Sequence, residues 1–101
     1  IPVLDEFKER LLELYGKDLH DVILHGSYAR GEERGESDID LAIILKGEVH
    51  PFREINKINE KTYDLDIKYN LVLNFQPISL EKFESRDLSF FRSIKKEGIK
   101  I

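Results

Sequence analysis

Two aspartates one residue apart, Asp38 and Asp40, follow the segment Gly26-Ser27-Tyr28-Ala29-Arg30-Gly31, and ten residues separate Ser27 from Asp38. Residues of these types can handle a phosphate beside a divalent cation. A glycine lets a bulky anion approach the backbone closely. N–H groups exposed at a helix start favour phosphate, and the Ser27 hydroxyl adds a donor. Arg30 lies one helical turn beyond Ser27, so it can share that face and meet phosphate oxygens. On a strand, side chains at i and i+2 point to the same face. Asp38 and Asp40 would then stand side by side, roughly 6–7 Å apart at their backbones. Like charges so close repel, and a hard divalent cation between them removes the penalty. A Gly-Ser cradle beside carboxylates that hold Mg²⁺ is how a phosphoryl-transfer site is built. Either motif alone is common in polar turns. The two together, between predicted strands, are not.

The elements that would position these residues follow from periodicity. Leu4, Phe7, Leu11, Leu14 and Tyr15 recur at three and four, which predicts a first helix capped by Gly16. Val22-Ile23-Leu24 predicts a short buried strand ending at Gly26. Ile39 to Leu45 is nearly continuous in apolar character, as in a strand covered on both faces. Pro51 opens a long amphipathic helix through Phe52, Ile55, Ile58, Thr62, Leu65 and Tyr69. From Tyr63 to Leu73 apolar residues also alternate, as they would in a half-exposed strand. A strand from 63 to 75 would be unusually long. The expectation is a helix to about Lys68 and a strand from about Leu71 to Phe75, with the long strand as the rival. After Pro77, Ser79 can cap a short helix through Phe83. A last helix starts near Asp87 with Leu88, Phe91 and Ile94 on one face, and Gly98 closes it. Ile99 to Ile101 adds an edge strand or trails off. Alternating helices and strands indicate α/β architecture.

Composition bounds the rest. The chain has 101 residues, suited to one domain spanning 1–101, and its formal charge is −4. That acidity argues against gripping nucleic acid by bulk charge. Cysteine is absent, which excludes a disulfide framework, a thiolate metal site and cysteine catalysis. No apolar run is long enough to span a membrane, and no leader with a cleavage site is visible. A cytoplasmic protein is expected. The chain begins with Ile1, so an N-terminus that is processed or not covered is expected too. Charged residues make up 36% of the chain against the usual quarter, a weak pointer to a thermophilic source.

The stretches GSYARG and SDIDLAIIL resemble the signature of the polymerase-β-like nucleotidyltransferases. The nearest resemblance is to the minimal nucleotidyltransferase (MNT) group, the antitoxins of HEPN/MNT toxin–antitoxin modules. The leading helix and the SLEKF and FFRSIKKEGI stretches of the tail fit as well. The resemblance implies a small mixed β-sheet flanked by helices, ATP or another nucleoside triphosphate as donor, and Mg²⁺ as cofactor, with a two-metal site possible. By position, Gly26 and Ser27 match the triphosphate-binding pair, Asp38 and Asp40 the catalytic metal-binding aspartates, and Arg30 the arginine that commonly follows the pair. It also implies AMP transfer to a tyrosine of a HEPN toxin partner, which silences the toxin.

One departure bears on activity. The superfamily usually carries a third carboxylate on a later strand. Here Asn70, Val72 and Asn74 share one face of the matching strand, and none is acidic. Under the rival long-strand reading, Asp64 or Asp66 could serve; under the helix reading they are surface charges. Two functions of different classes follow. One is an Mg²⁺-dependent nucleotidyltransferase, with a partner protein suggested by the chain's shortness. The other is an antitoxin that neutralises its HEPN partner by binding alone. Transfer to a small molecule and extension of nucleic acid rank below both. Among the other residues, His25 is read as a structural hydrogen-bonder near the phosphate site. His20 and His50 fall in predicted loops without a metal-ligand partner. Tyr28 is read as exposed in its loop. One of Phe90 and Phe91 must point outward, as a candidate partner contact. The cluster Glu32, Glu33, Arg34 and Glu36 is a solvated loop or a lid.

Overall fold

A computed structural model describes residues 1–31 and 38–101 of the chain. Helix α1 (Pro2–Tyr15) begins with its proline in the first turn, where a missing N–H costs nothing, and buries Val3, Leu4, Phe7 and Leu11. A 3₁₀ turn (Gly16–Asp18) leads into strand β1 (Leu19–His25), which ends directly in the short helix α2 (Gly26–Ala29). Strand β2 (Ile39–Leu45), long helix α3 (Pro51–Tyr69) and strand β3 (Leu73–Ser79) form a β-α-β unit with β2 and β3 parallel. Helices α4 (Leu80–Ser85) and α5 (Ser89–Glu97) and the two-residue strand β4 (Ile99–Lys100) complete the described chain.

The sheet has four strands in the order β3-β2-β1-β4, and β1 runs antiparallel to both of its neighbours. Strand β2 is central, and six of its seven residues are buried, which is what its continuous apolar run demands. Alternation then divides the core in two. Ile39, Leu41, Ile43 and Leu45 face α1 and α3, packing with Phe7, Leu11, Ile58 and Leu65. Ala42 and Ile44 face α4 and α5, packing with Ile23, Phe83, Phe91 and Ile94. This is the mixed sheet flanked by helices that the resemblance implies.

Ion pairs tie α1 to α3. Arg10 grips Asp64 with both guanidinium nitrogens at 2.6 and 2.9 Å. Lys61 meets Glu13 at 2.8 Å, and Lys68 meets Glu6 at 2.7 Å. The hydrogen bond to the partner cation is the main cause holding each of the three carboxyls below its ordinary value. The unfolded chain therefore binds more protons through that range. The stability these pairs add is full above about pH 5 and is lost as pH falls toward about 3. Because the pairs are solvent-exposed, the effect is small and salt-sensitive. Melting temperature followed between those pH values at low salt should drop, and Arg10→Met should flatten part of the slope.

Several expectations shift. α3 continues to Tyr69 and stops at Asn70, which adopts the left-handed conformation (φ 52°). The rival long strand from Tyr63 is therefore overturned. Leu71, packed on the core, and Val72, whose carbonyl accepts from the Ile39 N–H at 3.0 Å, carry the chain from α3 to the sheet, so β3 starts later than expected, at Leu73, and runs through Pro77. Proline is tolerated there because β3 is an edge strand. The Ser79 cap forms as read, its Oγ accepting from the Lys82 N–H at 3.2 Å. His20 lies in β1, not in a loop, 3.5 Å from Asp21; the strand begins three residues earlier than its apolar run. Tyr28 lies in α2 and packs half-buried against the core on the α1/α3 side. The lid residues Glu32, Glu33, Arg34 and Glu36 lie outside the described residues.

Candidate active site

The sheet brings the end of β1 beside the start of β2, and β3 alongside. Asp40 stands in register with His25 on β1 and with Asn74 on β3. The three form a row across the sheet on the α4/α5 face, at the open end beyond Ala42. Ile39 and Leu41 point into the opposite face and are essentially fully buried, which fixes the strand beneath the row. Asp38, one residue before β2, is exposed, and its Oδ2 accepts a 2.9 Å hydrogen bond from Asn74 Nδ2. That bond places Asp38 on the same face as Asp40, as the i, i+2 argument required.

Gly26 meets this row from β1. It has φ +74°, and a Cβ built on it would overlap the Asp40 carboxylate. Two independent requirements therefore make the position a glycine: backbone conformation and close approach. Gly26→Ala should lower melting temperature by several degrees, since positive φ alone costs about 1 kcal/mol or more. It should also displace Asp40 and cut transfer at least tenfold. Thermal melts and rate assays on the same preparation check both.

Ser27 follows in the first turn of α2, half-buried. Arg30, the residue after α2, sends its guanidinium toward α5, 3.6 Å from a Glu97 carboxylate oxygen. His25 is engaged structurally: Nε2 lies 3.3 Å from Gln76 Oε1, and its ring meets Phe90 edge-on at 5.7 Å. Phe91 is buried and Phe90 half-exposed, as the outward-inward argument expected of the pair. Residues His25, Gly26, Arg30, Phe90, Ser93 and Glu97 line a cleft of about 100 Å³ beside the row. Sequence reasoning missed Gln76 and Glu97. Gln76 was accessible as the i+2 neighbour of Asn74, but only once the strand was carried past its expected end at Phe75.

The donor set at the row suits a hard cation. Asp38 and Asp40 offer carboxylate oxygens only, which is the chemistry Mg²⁺ requires, and two carboxylates suffice for one ion that keeps part of its water. Among the described residues no group of three or more His, Cys, Asp or Glu side chains comes together for a metal. The position across from Asp40 is filled by Asn74, a neutral amide. Asp64 and Asp66 supply no third acid, because α3 packs on the other face of the sheet. Asp64 is held by Arg10. Asp66 accepts from the Leu73 N–H, and partial burial pushes its pKa up.

A strand-turn-helix that leaves a positive-φ glycine against Asp40, with Asp38 on the same face, suits the class of α/β domains that handle nucleotides. The comparisons with known proteins narrow that class. Residues 9–101 match the family described as polymerase beta, nucleotidyltransferase, and the chain belongs to that family. It falls with the minimal nucleotidyltransferases, and membership of the family points to a nucleoside triphosphate and a metal. Three proteins of Methanocaldococcus jannaschii that share the name "putative protein adenylyltransferase" are similar to it. One is 32% identical over all of this chain and 97% of its own length, and another 34% identical over 94% of this chain and 90% of its own. A third is 39% identical over 86% of this chain, which spans just over half of that longer relative, 56%. Among solved structures, one described as a "putative nucleotidyltransferase" from Sulfolobus solfataricus superposes with a TM-score of 0.65 at 18% identity, covering 98% of this chain and 76% of its own. A toxin–antitoxin structure with AMP-PNP also gives 0.65 at 18% identity, covering 94% of this chain and 69% of that one. These two share the fold. No helix among the described residues is long and apolar enough to cross a membrane.

Proposed function

We propose that the protein transfers AMP from ATP to a hydroxyl of a partner protein, a tyrosine of a HEPN-type toxin, and so acts as an antitoxin. The observation that supports this reading is the close approach of Gly26 to Asp40, which brings the backbone that would cradle an anion against a carboxylate that would hold the metal. Gly26 and Ser27 would bind the triphosphate through backbone N–H groups and the Ser27 hydroxyl. Arg30, steered by Glu97, would lie along the phosphate path. Asp38 and Asp40 would hold Mg²⁺, which when bound neutralises phosphate charge and polarises the α-phosphorus. The acceptor oxygen then attacks that phosphorus in line, its proton passes to solvent or a nearby base, and pyrophosphate leaves. The names of the M. jannaschii relatives support protein adenylylation, and the toxin–antitoxin neighbour supports the biological setting.

The test is intact-mass measurement of the purified partner after incubation with this protein, ATP and Mg²⁺. A gain of one AMP, mapped to a tyrosine, is expected. Asn74 in the row favours a second reading, an antitoxin that neutralises by binding alone. That reading is supported if a tight, inhibitory complex forms with no change in mass.

A further inference from the structure

Helix α3 has two apolar faces. Ile58 and Leu65 are in the core. On the other side Phe52 is 84% exposed, Ile67 78% and Tyr63 60%, with Ile55 beside them at the edge of exposure. At 100° per residue these positions fall in one band along the outer side of the helix. Phe52 stands at one end of this band and Tyr63 and Ile67 at the other, about 16 Å apart along the helix, with Asn56, Asn59 and Glu60 between, so two exposed apolar ends flank a polar middle on one face. It lies across the sheet from Asp38 and Asp40, so the candidate site does not explain it.

Two features of the row select its occupant. The first is symmetry of spacing. Measured from the midpoint between Asn59 and Glu60, Asn56 and Tyr63 stand at equal distances on either side, and so do Phe52 and Ile67. Two copies of α3 laid antiparallel about a two-fold axis at that midpoint would place Phe52 of each on Ile67 of the other. The second is charge. One flank of the row reads Arg53, Lys57, Glu60, Asp64 at spacings of four, three and four, basic in its first half and acidic in its second. Antiparallel packing brings like flanks together with their directions reversed, so Lys57 meets Glu60 and Arg53 meets Asp64, each twice. Parallel two-fold packing would instead set this flank on the opposite one, which carries Ile55, Asn59 and Asp66 and offers no matching set of charges. This self-complementarity is what an isologous two-fold interface needs.

We propose that α3 is a self-association face, on which a second copy of this chain packs antiparallel and leaves both candidate active sites facing away. Asp64 already holds Arg10 at 2.6 Å within the chain, whereas Lys57 makes only a looser 3.7 Å pair with Glu54, so the Lys57–Glu60 contact is the more telling of the two. Sedimentation velocity over a concentration series should show the mass rising from 11.9 kDa toward twice that value. The double substitution Phe52→Ser, Ile67→Ser should hold the protein at the monomer mass, with unchanged circular dichroism because both side chains are exposed. At low salt, Lys57→Glu alone and Glu60→Lys alone should each weaken dimerisation roughly tenfold by putting like charges together twice. Mixing the two variants should restore a dimer, because every flank contact then pairs opposite charges. Thermal melts of each variant establish that it is folded. A chain that stays monomeric at millimolar concentration overturns the proposal. So does a dimer that survives Phe52→Ser, Ile67→Ser, or a mixture of charge variants that fails to recover.

Discussion

Replacing both Asp38 and Asp40 by asparagine should reduce nucleotidyl transfer by at least a thousandfold, about 4 kcal/mol of lost transition-state stabilisation. Asparagine keeps the shape of each side chain, so the Gly26 contact with residue 40 stays sterically possible. It removes the two negative charges that a divalent cation would neutralise. The folded state should survive, because Asp38 is exposed, Asp40 stands at the open end of its strand, and β2 is anchored by Ile39, Leu41 and Ile43 on the opposite face. Removing two like charges also relieves repulsion in the metal-free protein. Melting temperature without Mg²⁺ should therefore hold or rise slightly. The rise produced by Mg²⁺ and a non-hydrolysable ATP analogue in the parent protein should disappear. The paired readout separates a lost metal site from a lost fold. Transfer at the parent rate in a folded double variant would remove both aspartates from the mechanism.

How far the sequence reached depends on which physical signal each element carried. β2 was legible to the residue because a strand buried on both faces has no competing pattern. α3 was ambiguous for a reason the structure makes plain. Leu65 and Tyr69 pack inward, while Tyr63 and Ile67 belong to the second, outward apolar row. Two helical stripes interleaved in sequence produce the alternation of a strand. The helix reading was correct, but the alternation that argued against it recorded the outer face. β3 starts two residues and ends four residues beyond the expected Leu71 to Phe75, and its passage through Pro77 rests on edge position, a property of the whole sheet that no local window contains. At the candidate site, the residue types and their common face could be read from spacing. The contact between Gly26 and Asp40 could not, since it depends on the register that pairs His25 with Asp40 across β1 and β2. Asn74 is intermediate. Its lack of charge was visible, but its place directly across from Asp40 follows only from the parallel register of β2 and β3.

That place makes Asn74→Asp the substitution expected to raise activity. The amide now donates to Asp38 and orients it, at 2.9 Å, without adding charge to the row. A carboxylate there would lose the donor and create three negative groups along one edge of the sheet. Without metal they repel one another, so melting temperature in chelator should fall by a few degrees. With Mg²⁺ the same three groups form an oxygen-rich cluster able to hold a second ion, and a second ion near the attacking oxygen helps to deprotonate the acceptor. Transfer to the partner protein should then rise about 10- to 100-fold, with a steeper dependence on Mg²⁺ concentration than in the parent. The size of the gain distinguishes two histories of the site. A large gain means that Asn74 throttles an otherwise complete enzyme and that the parent works slowly with one ion. No gain, with the melting temperature in Mg²⁺ raised as expected, means that the second ion binds but chemistry is not what limits the parent. Asn74 would then be a positioning residue that acts through the hydrogen bond it donates to Asp38, and Asn74→Ala, which removes that donor without adding a carboxylate, should lose activity relative to the parent.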